Sequence, residues 1–114
     1  MSPITTHVLD TARGRPAAGV PAVLERRTSP DSWAVLGRGV TDPDGRIRDL
    51  FPGPGPLQAG VFRLTFDTGA WFAAQGLEGF FPWVTIVFEV REEGGHHHVP
   101  LLLSPYGYST YRGS

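Results

Sequence analysis

Three consecutive histidines, His96, His97 and His98, form the part of this sequence best suited to chemistry. The apolar run after them predicts a strand over residues 97–103, and side chains on a strand alternate between its two faces. By this parity His98 lies opposite the natural core row of the strand, which consists of Val99, Leu101 and Leu103. Imidazole titrates near physiological pH, so His98 is suited to proton transfer on the outer face of a sheet.

Another histidine occupies the same kind of position near the start of the chain. In a strand predicted over residues 4–11, Thr6 and Val8 share one face, whereas His7 and Leu9 share the other. If the two strands belong to one sheet, His7 and His98 can meet on its outer face. Apolar residues on that face, such as Leu9, predict a partner surface and hence an oligomer.

These histidines also have simpler interpretations. A single histidine on a strand is most often only a surface residue. His96 and His98 share a face, which would permit a Zn²⁺ site, but no carboxylate or cysteine lies at a helpful spacing, so no metal is predicted. From spacing alone, Arg46 is a solvated residue after a tight turn, and residues 112–114 are a frayed tail after an edge strand.

Composition limits the class of protein. The chain has 114 residues, 40% hydrophobic and 18% charged, which predicts one globular domain over residues 1–114. The formal net charge of -1 argues against nucleic acid as a partner. Because there are no cysteines, disulfides, thiolate metal sites and cysteine nucleophiles are excluded. We see no signal peptide and no apolar run of about 20 residues, and therefore expect a soluble, cytoplasmic protein with no membrane partner.

The elements that must position these residues are short strands. The 15 glycines and 11 prolines are spread between apolar segments, as is typical of strands joined by turns. Thr68 is a candidate N-cap for the single helix, predicted over residues 68–76. The predicted fold class is all-β, a two-sheet β-sandwich of about eight strands with one short helix. The strands are predicted at residues 4–11, 20–28, 33–41, 46–50, 61–67, 84–90, 97–103 and 106–111.

Several stretches together resemble the transthyretin-like proteins over essentially the whole length. They are Thr6-His7-Val8-Leu9-Asp10, Asp44-Gly45-Arg46, Phe80-Phe81-Pro82, and the segments 98–105 and 108–114. The closing Tyr111-Arg112-Gly113-Ser114 is the most specific of these. It resembles the terminal motif of the 5-hydroxyisourate hydrolases, which the hormone-carrying transthyretins lack.

The resemblance implies a transthyretin-like sandwich and a homotetramer, a dimer of dimers with active sites in the channel between the dimers. It implies hydrolysis of 5-hydroxyisourate in urate catabolism, with no cofactor. The resemblance implies His7, Arg46, His98 and Ser114 as catalytic residues. It implies that His7 and Arg46 also bind the substrate, together with Tyr111, Arg112 and Ser114 of the terminal motif. One departure is His97, at a position that is often aromatic in the family; by parity it faces away from His98.

The hypothesis that follows is a water-based hydrolysis in which His7 and His98 share the proton transfers. Arg46 would polarise the carbonyl and lower the pKa of a nearby histidine. Tyr111 and Ser114 would hold the ring, and Arg112 would help to bind it or to position the terminus. Ser114 is a poorer nucleophile than water here because no third residue completes a triad. The alternatives are a carrier of small aromatic ligands and a structural or interaction sandwich.

Overall fold

Two packed β-sheets form the protein, seen in a computed structural model that describes residues 3–51, 53, 56–92 and 94–113. These residues contain nine strands and one helix, α1, at Thr68–Ala74. The strands are β1 Ile4–Asp10, β2 Arg15–Pro16, β3 Pro21–Ser29, β4 Ser32–Val40, β5 Arg46–Ile47, β6 Gly60–Phe66, β7 Val84–Val90, β8 His97–Ser104 and β9 Gly107–Thr110. The predicted fold class, an all-β sandwich with one short helix, is confirmed.

The first sheet has the order β2-β1-β8-β9, with β5 also paired to β1. β2 and β5 share one edge of β1, because β5 pairs with residues 6–7 and β2 with residues 9–10. Its other edge pairs with β8 in parallel, whereas all other described pairings of both sheets are antiparallel. The second sheet has the order β4-β3-β6-β7.

Alternation of side chains builds the core between the sheets. On β6, Phe62, Leu64 and Phe66 are fully or almost fully buried, as their period-2 pattern predicts. β8 contributes Val99, Leu101 and Leu103 to the same core, which confirms the predicted core row. The outer face of the first sheet is therefore left to the residues of opposite parity, including His7 and His98.

The structure differs from the prediction in three local details. The N-cap of α1 is Asp67, not Thr68; the Asp67 carboxylate accepts a hydrogen bond from the Ala70 amide at 3.3 Å. The segment around Pro16, which lies between the strands predicted over 4–11 and 20–28, forms the additional short strand β2. Proline is tolerated there because β2 is an edge strand. Strand β5 is also shorter than its predicted span of 46–50.

No helix within the described residues is long and apolar enough to cross a membrane.

Candidate active site

Three strands bring the predicted residues to one face of the first sheet. In the β1–β5 pairing, His7 lies opposite Arg46. In the β1–β8 pairing, Thr5 lies opposite His98 and His7 lies opposite Pro100. Residues 5 and 7 share a face of β1, so His7, Arg46 and His98 all lie on the outer face of the sheet. His7 and His98 are offset from each other by two residues along the strands, which is one position on the same face.

A tight turn fixes Arg46 at the start of β5. The Asp42 carboxylate accepts hydrogen bonds at 2.9 Å from the amides of Asp44 and Arg46. The bond from the Arg46 amide is the largest cause of a lowered pKa at Asp42. Gly45 has a φ of +79°, and a Cβ there would lie 2.4 Å from the Val8 carbonyl oxygen. The turn therefore needs both Asp42 and a glycine at position 45 to hold Arg46 beside β1.

The same turn orients His7. Nε2 of His7 lies 2.8 Å from the carbonyl oxygen of Asp44. A carbonyl only accepts hydrogen bonds, so this nitrogen carries the proton and donates it. In neutral His7 the unprotonated nitrogen is therefore Nδ1.

His98 contacts Thr5 on the neighbouring strand. The Thr5 hydroxyl lies 2.8 Å from Nδ1 of His98 and 3.0 Å from Nε2 of His96. The two imidazole rings stack with centroids 6.4 Å apart. Thr5 is only 9% exposed, so its hydroxyl is largely shielded from bulk water.

The surroundings of His98 favour its neutral form. Burial lowers the pKa of His98, and the positive charge of Arg46 lowers it further. His7 and His96 add smaller effects in the same direction, and a hydrogen bond to the backbone of Thr5 acts in the opposite direction. The predicted influence of Arg46 thus has the expected sign, although burial outweighs it. A neutral imidazole at pH 7 is the form that can accept a proton.

A cavity of about 500 Å³ opens at this face, a size that suits a small planar ligand. Its walls carry two guanidinium groups, two imidazoles, two threonine hydroxyls and one carboxylate, so it offers hydrogen bonds and a net positive charge. Its lining residues are Thr5, Thr6, Arg46, Arg48, Asp49, His96 and His98.

The C-terminal segment continues along β8 after β9 ends. Gly113 forms an antiparallel bridge with His98, and its amide donates to the His98 carbonyl at 2.8 Å. The β8–β9 register, extended to this bridge, places Tyr111 opposite Pro100 on the outer face and Arg112 opposite Val99. Ser114, predicted as a catalytic and binding residue, lies outside the described residues.

Arg112 does not line the cavity that Arg46 and His98 share. It lines a larger cavity, of about 800 Å³, between β7 and the β8–β9 pair. His97 lines the same cavity, and burial, followed by the charges of Arg112 and His96, lowers its pKa. Nδ1 of His97 is buried without a hydrogen-bond partner. His98 and Tyr111 line this cavity as well, so the prediction that His97 faces away from His98 rests on the alternation of side chains along β8.

Replacing Gly113 with alanine is expected to displace the His98 ring. A Cβ at position 113 would lie 2.6 Å from Cδ2 of His98, which is too close for any real contact. Misplacement of a reacting group by about 1 Å can cost about 10²-fold in rate, so kcat of the Gly113→Ala variant should fall by up to that factor. Steady-state kinetics measures the loss. Gly107→Ala controls for alanine at a glycine position, because a Cβ there would make only an ordinary contact, 3.7 Å from the Ser104 hydroxyl oxygen. An unchanged kcat in Gly113→Ala would contradict the proposed contact.

Sequence reasoning missed two residues of this face. Thr5 is a common strand residue, and nothing local marks it as a partner of two histidines that lie 91 and 93 positions away. His96 was considered only as a metal ligand. Within the described ranges, no three side chains of His, Asp or Glu are grouped so as to hold a metal ion.

The fold and the site define a class: a two-sheet, transthyretin-like β-sandwich with a histidine–arginine cluster on the outer face of one sheet. Residues 4–113 match the HIUase/Transthyretin family, and the chain belongs to that family. The 5-hydroxyisourate hydrolase of Mus musculus is 46% identical over 114 residues, covering 99% of this chain and 96% of the mouse protein. With such relatives, this chain is a hydrolase.

Solved structures of both branches of the family resemble this one. The 5-hydroxyisourate hydrolase of Klebsiella pneumoniae has a TM-score of 0.82 and 43% identity, over 97% of this chain and 98% of that one. Transthyretin from Sparus aurata has a TM-score of 0.90 and 35% identity, over 99% of this chain and 97% of that one. Shape alone therefore does not separate an enzyme from a carrier.

Proposed function

We propose that this protein hydrolyses 5-hydroxyisourate to 2-oxo-4-hydroxy-4-carboxy-5-ureidoimidazoline, a step in urate catabolism. The observation that carries the proposal is the grouping of His7, Arg46 and His98 on one face, with Arg46 and His98 lining a cavity there. Relatives that are named 5-hydroxyisourate hydrolases support the choice of substrate. A carrier would need a complementary cavity, but it has no need of two histidines beside an arginine.

In the proposed reaction a water molecule attacks the carbonyl carbon of the scissile amide-type bond. One histidine takes a proton from the water as the new C–O bond forms, and Arg46 stabilises the negative charge that develops on the carbonyl oxygen. The C–N bond then breaks, and the leaving nitrogen receives a proton from an imidazolium. His7 and His98 share these transfers, and their placement on one face allows both to reach a single bound ring.

The C-terminal residues are proposed to bind and position the ring. Tyr111, on the outer face by register and 57% exposed, can donate a hydrogen bond from its phenol. Ser114 is proposed to hold the ring as well. The position of Arg112 beside His97 supports a role in positioning the terminus better than it supports direct contact with the ring.

We further propose that the chain acts as one domain in a cytoplasmic homotetramer, a dimer of dimers. Large exposed aromatic residues support an oligomer: Phe80, Trp83 and Tyr106 are 70%, 61% and 71% exposed. β7 and β9 form edges of the two sheets and can pair with a second copy. Light scattering or analytical ultracentrifugation measures the state directly, and a monomer at working concentration would contradict this part.

The decisive experiment follows absorbance while uricase generates 5-hydroxyisourate, with and without this protein. We expect the protein to accelerate decay of the intermediate in proportion to its concentration. Heat-denatured protein is the control. Decay at the spontaneous rate would overturn the proposed function.

The second candidate is a carrier of small aromatic ligands without catalysis. A structurally similar sea bream transthyretin solved in complex with thyroxine is the observation that favours it. Calorimetry with thyroxine, run beside the decay assay, separates the two functions. Tight binding with no effect on decay would favour the carrier.

A further inference from the structure

The hydroxyl of Thr5 bridges two imidazoles on the outer face. It lies 2.8 Å from Nδ1 of His98 and 3.0 Å from Nε2 of His96. A threonine hydroxyl has one proton, so it can donate only one of these hydrogen bonds and must accept the other. When both rings are neutral, the tautomer of His98 and that of His96 are therefore coupled through Thr5.

One of the two arrangements leaves His98 able to act as a base. Thr5 engages Nδ1 of His98, so Nε2 is the ring nitrogen left for a bound water. A neutral imidazole accepts a proton at Nε2 only when Nδ1 carries the ring proton. In that arrangement the Thr5 hydroxyl accepts from Nδ1 of His98 and donates to Nε2 of His96.

We propose that Thr5 is a positioning residue that, together with His96, holds His98 with Nδ1 protonated and Nε2 free. Nε2 is then the nitrogen available to accept a proton from water, which makes His98 the general base. This inference rests on the proposed function for its catalytic meaning, but the hydrogen-bond arrangement itself can be tested without substrate. His7, whose Nε2 donates to Asp44, is then left as the partner that handles the second proton transfer.

Three other charged or titratable groups face His98: Arg46 on β5, His7 on β1 and His96, the residue just before β8. All three disfavour imidazolium, and none of them is a fixed hydrogen-bond acceptor for Nδ1. These three groups influence whether the His98 ring is charged. The contact with Thr5 and His96 is the one that can set which nitrogen of the neutral ring carries the proton.

The test compares Thr5→Val with Thr5→Ser. Valine keeps the β-branched shape and removes the hydroxyl, whereas serine keeps the hydroxyl. Long-range ¹H–¹⁵N correlation spectra of the labelled full chain report which ring nitrogen of His98 is protonated. We expect the Nδ1–H form in wild type and Thr5→Ser and a mixture of tautomers in Thr5→Val. In kinetics, we expect kcat to fall by up to about 100-fold in Thr5→Val with little change in KM, and to recover in Thr5→Ser.

Three further variants sharpen the result. Thr65→Val makes the same chemical change on β6, where the hydroxyl contacts only the exposed Thr85 hydroxyl among the described hydrogen bonds, and it should behave as wild type. His96→Phe keeps a ring stacked on His98 but cannot accept the Thr5 proton, so it should reproduce the Thr5→Val spectrum. His96→Gln, which offers a carbonyl acceptor, should restore the wild-type tautomer in part.

The outcomes distinguish failure of the proposed function from failure of the positioning role of Thr5. If wild type fails to accelerate 5-hydroxyisourate decay but shows the Nδ1–H tautomer that Thr5→Val loses, the proposed function fails and the positioning role stands. If wild type is active but His98 has Nε2–H, or if Thr5→Val leaves tautomer and kcat unchanged, the inference is overturned.

Discussion

Replacing His98 with asparagine is expected to lower kcat for 5-hydroxyisourate by about 10²- to 10⁴-fold, the usual loss when a general acid–base residue is removed. The side-chain nitrogen of asparagine can occupy the place of Nδ1 and keep the bond to Thr5. The substitution removes Nε2, the ring nitrogen that does not contact Thr5. The variant should therefore fold and assemble as wild type while losing the proton acceptor.

His97→Asn is the matched control, because position 97 is on the same strand but faces the other way. It should retain activity near that of wild type, with thermal unfolding recorded to detect any loss of packing. A wild-type kcat for His98→Asn would remove His98 from the mechanism. Equal losses in both variants would point to damage to β8 rather than to chemistry.

Replacing Arg46 with glutamine is also expected to lower kcat strongly. Loss of one donor that stabilises a developing oxyanion typically costs about 10²–10³-fold in kcat. The substitution also removes a positive charge that lowers the pKa of His98. In wild type the basic form of His98 is lost only as pH falls through its lowered pKa. In Arg46→Gln that pKa rises, so the acid limb of the kcat–pH profile should move to higher pH.

Two comparisons make the Arg46 result specific. Arg46→Lys keeps the charge but loses the planar fork, so the acid limb should stay near its wild-type position while kcat falls. Arg15→Gln removes an exposed arginine from β2 of the same sheet and should change neither quantity. A drop in kcat for Arg46→Gln without any shift of the acid limb would show that Arg46 does not influence the titration of the base.

The sequence predicted most of the sheet faces, because the period-2 pattern of a strand is local. The buried row of β6 and the core row of β8 could be read directly from alternation. Alternation could not show which strands are neighbours, because the pairing of β1 with β8 joins residues that are more than 90 positions apart. The grouping of His7 with His98 was therefore conditional on a shared sheet.

The support of the site was the least predictable part. Threonine in a strand and glycine near a terminus are ordinary, and only the register shows that Thr5 contacts His98 and that Gly113 lies against its ring. Asp42 was recognised as part of a turn, but not as the group that holds the Arg46 amide. The roles of Tyr111, Arg112 and Ser114 stay predictions that rest on the family resemblance.

The parallel pairing of β1 with β8 also dictates when the site can exist during folding. His98 and Thr5 are 93 positions apart, so the loop that joins them closes only after nearly all of the described chain is available. During synthesis β1 is made before β8, so the edge of β1 that will pair with β8 is unpaired in the meantime. This edge, which carries Thr and Val residues, is then open to incorrect strand pairing. High contact order of this kind slows folding, and activity should therefore appear as one of the last events after dilution from denaturant.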